Sequence, residues 1–267
     1  MDTDGFAAME ARMSSDAFAG VRVVVTGAAR GIGRAVALGL AARGADVACL
    51  DLDEEGARET GTLVEGEGSR AMALACDLTD WDAVQAAADH TIDALGGVDV
   101  LVANAGGSAG DACHFLDMEP ERWHRMVDRN LTSTFYTALA FARHMARAER
   151  NGAIVCISSQ LSEVVRPSLA HYCAAKGGVR QLVRAMAVDL ASSNIRVNAV
   201  APGPTWTPGT RALFSRPEVR KLNERTIPMG RLADAEEMVG AVAYLASADA
   251  SYVTGTTIFV DGGYTLT

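Results

Sequence analysis

The stretch Val21-Arg22-Val23-Val24-Val25-Thr26-Gly27-Ala28-Ala29-Arg30-Gly31-Ile32-Gly33 decides the fold. A β-branched run enters a glycine cluster, and a segment of helical period from Gly31 to Arg43 follows at once. Glycines before a helix are common in ordinary turns. Strand, cluster and helix in succession meet the requirements of a phosphate-binding turn, because glycine lets the backbone bend tightly and approach a pyrophosphate. The helix start adds unsatisfied N–H groups and the positive end of its dipole. Gly27, Gly31 and Gly33, with Arg30 and Ile32 between them, are therefore the expected nucleotide-binding residues.

Outward from this unit the same alternation repeats. Further strands are expected over 46–50, 70–76, 98–103, 153–157, 195–200 and 256–260, with helices near 54–66, 80–95, 119–149, 170–192 and 234–247. Seven strands with intervening helices predict an α/β fold with a doubly wound, seven-stranded parallel sheet and helices on both faces. Runs such as Val98-Asp99-Val100-Leu101-Val102 are apolar enough to be covered on both sides. Pro120 suits the first turn of a helix, and Asp234 with Glu237 has capping-box spacing. One long stretch, 204–231, reads as irregular. It carries Pro204, Pro208, Pro217 and Pro228, and a loop of that length in a compact domain predicts a lid over a site.

Composition sets the frame. In 267 residues, 49% are hydrophobic and 21% charged, an ordinary globular balance, while the 26 glycines amount to roughly 10% against a usual figure of about 7%. No linker divides the chain, so one domain over 19–267 is expected after a flexible extension over 1–18. That extension lacks a basic segment followed by an apolar one, so it does not read as a signal peptide. The formal charge of −9 argues against binding nucleic acid or an anionic membrane, and no apolar run is long enough to span one. Cys49, Cys76, Cys113, Cys156 and Cys173 form no C-x-x-C pair and read as small hydrophobes in a reducing, cytoplasmic compartment. The five histidines are scattered, so no metal site is expected.

Asp51 ends the second strand, eighteen positions beyond Gly33, where a carboxylate can accept hydrogen bonds from the adenosine ribose hydroxyls. A 2′-phosphate about 4 Å away would be opposed by ~4 kcal/mol at an effective dielectric near 20. NAD is therefore expected ahead of NADP. Asp51 could instead cap the following helix, a task Asp53 can also perform, and Arg30 is a guanidinium that could meet a 2′-phosphate.

Thr26-Gly27-x-x-x-Gly31-x-Gly33, Asn104-Ala105-Gly106, Ser159, Tyr172-x-x-x-Lys176 and Pro202-Gly203 stand in this order, and with them the chain resembles the short-chain dehydrogenase/reductase family from about Ala19 onward. The resemblance implies a Rossmann fold and a secondary alcohol/ketone oxidoreductase. It places Asp77, with Leu78, beside the adenine, Asn104 to Gly106 on the adenosine side, and Pro202-Gly203 with Thr205 and Thr207 at the nicotinamide carboxamide. Leu52 joins the cofactor set as the neighbour of Asp51, and Asn130 matches the family's helix asparagine, which holds a water linking the lysine to solvent. Thr205 departs from the pattern, since an aliphatic residue is usual there. The Gly255–Gly263 segment is similar to the family's oligomer-forming end, which implies a homotetramer.

The chemistry of the proposed group follows from its residues. Tyr172 and Lys176 are four apart in a helical segment and so share a face. A phenol with a pKa near 10 is a poor base at neutrality, but a nearby ammonium and an oxidised nicotinamide favour the phenolate. Tyr172 is thus the expected general acid/base, and Ser159 the expected donor to the substrate oxygen.

The substrate is less constrained. Gln160-Leu161-Ser162-Glu163-Val164-Val165-Arg166 is polar for a pocket wall, so a sugar, sugar acid or polyol is expected, with Gln160 and Glu163 meeting hydroxyls and Arg166 a carboxylate. These side chains could equally face solvent. The same stretch resembles gluconate 5-dehydrogenase-like members of the family. The alternatives are a 3-oxoacyl thioester reductase and, from another class, a catalytically silent NAD-sensing regulator.

Overall fold

A computed structural model of the protein describes residues 17–108 and 110–267. The glycine-rich turn joins β1 (Arg22–Thr26) to α1 (Gly31–Ala41), followed by β2 (Asp46–Asp51), α2 (Glu54–Gly66), β3 (Ala71–Ala75), α3 (Trp81–Leu95) and β4 (Val100–Ala103). The second half contains α4 (Pro120–Val127), α5 (Ser133–Arg147), β5 (Gly152–Ile157), α6 (Ala170–Leu190) and β6 (Ile195–Pro202). The chain then forms β7 (Thr205–Trp206), α7 (Pro208–Phe214), α8 (Pro217–Thr226), β8 (Ala233–Asp234), α9 (Val239–Ala246) and β9 (Thr257–Val260).

The main sheet has seven parallel strands in the order β3-β2-β1-β4-β5-β6-β9. The seven strands and the doubly wound class read from the sequence are present. The order runs outward in opposite directions from β1 and β4. Their carboxyl ends therefore open a crevice at the switch point, the place where such sheets hold ligands.

Alternation along β1 sends its side chains into two cores. Val23 and Val25 share a core with Val36 and Leu40 of α1 and Val242 and Leu245 of α9, whereas Val24 belongs to the core that holds Leu101, Phe141, Met145, Val179 and Val183. Burying one such side chain contributes about 1.5–3 kcal/mol. These central strands are covered on both sides, which explains their continuous apolar runs.

Three sequence expectations require correction. The extension read over 1–18 lies partly outside the described residues, but Phe18 does not belong to it: its ring is buried in the core and its N–H donates to the Arg43 carbonyl oxygen over 2.8 Å. The helix read as continuous over 119–149 is two helices joined by a single π-turn over Asp128–Thr132. The stretch 204–231 is not irregular. Pro208 and Pro217 each occupy the first turn of a helix, where a missing N–H costs nothing, and Thr207 with Thr210 forms a reciprocal cap. The four prolines punctuate two short helices.

Of the five cysteines, Cys49, Cys76, Cys113 and Cys156 are buried and Cys173 is half-buried, all as free thiols. Among the described residues, no helix is long and apolar enough to cross a membrane.

Candidate active site

The crevice is built first by backbone. Gly27 and Gly31 have φ of +65° and +59°, a conformation that side-chain-bearing residues rarely adopt. A Cβ on Gly33 would lie 2.0 Å from the Gly27 carbonyl oxygen, so the helix start can approach the turn only without a side chain. Asn104, just past β4, ties the turn down: its amide donates to the carbonyl oxygens of Thr26 and Gly27 over 2.9 and 3.1 Å. The Thr26 hydroxyl accepts the N–H groups of Asn104 and Ala105 at 3.0 and 3.1 Å. Thr26 is thus a structural brace that the motif contained and the sequence reading did not single out.

The start of α1 fits an anion. Arg30 stands at its N-cap without a side-chain cap bond, and no acidic residue occupies the first turn, so the leading N–H groups and the positive dipole end face no competing carboxylate there. Arg30 itself is exposed and Ile32 is half-buried.

Asp51 has two tasks. Its carboxylate accepts the Ala29 N–H over 2.9 Å and the Asp53 N–H over 3.0 Å, linking the end of β2 to the glycine turn. The cap of α2 belongs to Asp53, which accepts the Gly56 N–H at 3.1 Å. Leu52 next to it is 72% exposed. Beyond β3, hydrogen bonds from the Thr79 N–H and hydroxyl hold the Asp77 carboxyl below its ordinary range, and Leu78 is buried.

The opposite wall carries the proposed chemistry. Ser159 follows β5 and is buried, and its hydroxyl donates to Gln160 Oε1 over 3.0 Å while accepting the Leu161 N–H. Tyr172 lies on the first turn of α6. Burial pushes its phenol up to about 12, and the nearby Ser159 hydroxyl opposes that rise. Lys176, one turn further, is 2% exposed and donates from Nζ to the Ile157 carbonyl oxygen over 2.8 Å. Burial lowers its ammonium to about 8. Ser158, which precedes Ser159 in the chain, donates its hydroxyl to the Lys176 backbone carbonyl oxygen instead.

Asn130 sits in the π-turn and is fully buried. Its Oδ1 accepts the Gly107 N–H at 2.8 Å, and its Nδ2 donates to the Met126 carbonyl oxygen at 3.0 Å. A Cβ on Gly106 would lie 2.6 Å from Asn130 Oδ1 and 3.4 Å from Lys176 Nζ, so the two side chains flank one glycine. Gly178 keeps α6 close to the π-turn, since a Cβ there would meet Leu131 at 2.8 Å. Asn130 and Lys176 thus meet at Gly106, Lys176 is tied to the end of β5 two residues before Ser159, and Tyr172 lies one turn before Lys176 on α6.

The end of β6 closes the remaining side. Pro202 and Gly203 are buried, and a Cβ on Gly203 would meet the Asp261 backbone at 2.6 Å. Thr205 is also buried, its hydroxyl donating to the Gly203 carbonyl oxygen, so the usual aliphatic position is filled by an internally bonded hydroxyl. Thr207 reaches the glycine turn: a Cβ on Gly31 would lie 3.3 Å from Thr207 Cβ.

The three residues read as substrate contacts diverge. Gln160 is buried beside Ser159, Glu163 is exposed and ion-paired with Arg180, and Arg166 is half-buried with no ion pair among the described residues. The Arg180 pairing had no local signal, because the partners lie seventeen residues apart.

Residues 27–265 match a family profile described as enoyl-(acyl carrier protein) reductase. Cis-4-hydroxycyclohexanecarboxylate dehydrogenase of Sinomonas cyclohexanicum is 44% identical over 94% of this chain and 98% of its own. 3beta-hydroxysteroid dehydrogenase 1 of Eggerthella lenta is 41% identical over 94% of this chain and 96% of its own. A crystal structure of a gluconate 5-dehydrogenase from Burkholderia cenocepacia, in complex with NADP and tartrate, superimposes with a TM-score of 0.89 at 37% identity, covering 95% of this chain and 98% of that one.

Proposed function

The chain belongs to the short-chain dehydrogenase/reductase family, oxidoreductases that act on CH–OH groups, and from that premise we propose an NAD-dependent dehydrogenase for a small secondary alcohol bearing a carboxylate or several hydroxyls. The observations that support the reading are the buried Lys176 anchored to the end of β5 one turn beyond Tyr172, the Ser159 hydroxyl near that phenol, and a helix start with no side-chain cap.

The residues proposed to hold the dinucleotide are Gly27 to Gly33 at the pyrophosphate, Asp51 and Leu52 at the adenosine ribose, Asp77 and Leu78 near the adenine, and Pro202 to Thr207 at the nicotinamide end. Bound there, the nicotinamide supplies the hydride acceptor for alcohol oxidation and the donor for ketone reduction. Tyr172 moves the accompanying proton at its phenolic oxygen. Ser159 holds the substrate oxygen by turning its hydroxyl from Gln160 Oε1 toward the developing negative charge. Lys176 lowers the cost of a phenolate by its charge, and Asn130 fixes the backbone of Gly107 beside it.

Asp51 supports NAD over NADP, since a 2′-phosphate would face its carboxylate. The exposed Arg30 and the NADP held by the Burkholderia structure make NADP the natural comparison. For the substrate, Arg166 is the side chain proposed to meet a carboxylate. A carboxylate occurs in the substrate named for the Sinomonas relative and in the tartrate of the Burkholderia structure. Glu163 is proposed to act only once Arg180 yields it. The half-exposed edge strand β9, with Tyr252 fully exposed nearby, supports assembly into a homotetramer.

A second reading, a 3-oxoacyl thioester reductase, is favoured by one feature of the surface. Helices α7 and α8 expose Arg211, Arg216, Arg220, Lys221 and Arg225 against the acids Glu218 and Glu224, a basic lid on a chain of net charge −9. Such a face suits an acidic carrier. A panel of sugars, sugar acids, diols, alicyclic hydroxy acids and hydroxyacyl thioesters, assayed with NAD and NADP, separates the readings. Fastest turnover of a hydroxy acid with NAD supports the first, and fastest turnover of a thioester with NADP replaces it with the second.

A further inference from the structure

His171, the residue before Tyr172, has no exposed surface. Among the described residues neither its Nδ1 nor its Nε2 finds a hydrogen-bond partner, and no other buried side chain there is in this state. A buried polar group without a partner is costly and calls for an explanation. Asp111 Oδ2 stands 3.8 Å from His171 Nε2, just beyond hydrogen-bond distance. The other oxygen, Oδ1, is held at 3.1 Å by Arg122 Nε of α4. Asp111 belongs to the segment between β4 and α4. On one side of it Gly107 and Gly110 have φ of +135° and +72°, and a Cβ on either would meet nothing within 4 Å. On the other, the Cys113 N–H is anchored to the Ser168 carbonyl oxygen at 2.8 Å. With Oδ1 held by Arg122, Oδ2 is left within about 1 Å of hydrogen-bond distance from the imidazole.

We infer that His171 is a positioning residue for Tyr172: with the crevice filled, Asp111 Oδ2 accepts a hydrogen bond from His171 Nε2–H. The contact ties α4, the loop and the first turn of α6 into one unit and fixes the phenol against the substrate oxygen. The chain Arg122–Asp111–His171 gives the carboxylate a donor on each oxygen and satisfies one of the two orphaned nitrogens. This inference rests on the dehydrogenase reading.

The test compares His171→Phe, His171→Gln and Asp111→Ala in the full chain, each assayed for kcat, KM and melting temperature with NAD and the best alcohol of the panel. Phenylalanine fills the space of the imidazole without an orphaned polar atom, so His171→Phe should melt at or above the unaltered protein. Its kcat should nonetheless fall about tenfold, as should that of Asp111→Ala, with KM for the alcohol nearly unchanged. Glutamine restores an N–H donor and should recover most of the lost kcat. Unaltered kcat in either His171→Phe or Asp111→Ala overturns the inference alone, as does a kcat loss that follows the melting temperature and is not recovered in His171→Gln. Absence of turnover by the unaltered protein with NAD and NADP overturns the dehydrogenase reading and this inference with it.

Discussion

Lys176 Nζ donates to the carbonyl oxygen of Ile157 over 2.8 Å, so the ammonium beside the proposed acid/base is anchored to the last residue of β5. Its burial lowers its pKa to about 8 from 10.5. Between those values the folded chain binds fewer protons than the unfolded chain, and stability rises with pH. The penalty of the buried charge is present in full below pH 8 and is relieved by pH 10.5, an effect of about 3 kcal/mol at most. Denaturant titrations at several pH values should show this rise in the unaltered protein and lose it in Lys176→Met. Parallel stability curves for the two proteins would contradict the assignment.

The phenol of Tyr172, pushed up to about 12 by burial, keeps its proton at neutral pH in the resting protein. It is poised to give a proton, so ketone reduction should stay level with pH near neutrality. Alcohol oxidation needs the deprotonated oxygen, and its kcat/KM should climb with pH above neutrality. Initial rates in both directions check this, and an oxidation rate that falls from pH 7 to 9 would exclude Tyr172 as the base.

Asn130→Ala removes an acceptor from the Gly107 N–H and a donor from the Met126 carbonyl oxygen. Leaving such groups unsatisfied costs about 1–3 kcal/mol, which should lower the melting temperature by roughly 2–12 °C. Calorimetry measures it. An unchanged melting temperature would mean that the π-turn does not depend on this side chain.

Asp51→Ser should shift preference toward NADP by at least about tenfold in kcat/KM, because it removes the charge opposing a 2′-phosphate while Arg30 remains exposed. The Ala29 N–H also loses its carboxylate acceptor, so activity with NAD should fall. A variant with unaltered preference would place the selecting group elsewhere.

Much of this architecture is legible in the sequence because it is local. The apolar runs of β1, β4 and β5 follow from burial on both faces, and the glycine turn lies between a strand and a helix that each carry their own period. What is not legible depends on tertiary partners. The π-turn exists where Asn130 reaches Gly107 across 23 residues, and nothing in 119–149 breaks the helical pattern. Helices α7 and α8 are masked in the sequence by prolines, whose places in first helical turns emerge only in the folded chain, where Thr207 caps α7. Phe18 reads as tail because a lone aromatic carries no period, yet its ring completes the core. The pairing of Glu163 with Arg180, and the approach of Asp111 to His171, likewise join segments that share no sequence signal.

The most direct test of the central claim pairs turnover with nucleotide affinity in Tyr172→Phe. Loss of the phenolic oxygen should lower kcat by about 10²–10⁴-fold, while the dissociation constant for NAD, measured by titration calorimetry, stays that of the unaltered protein. Turnover that survives in Tyr172→Phe would contradict the account, because the proton would then move through another group.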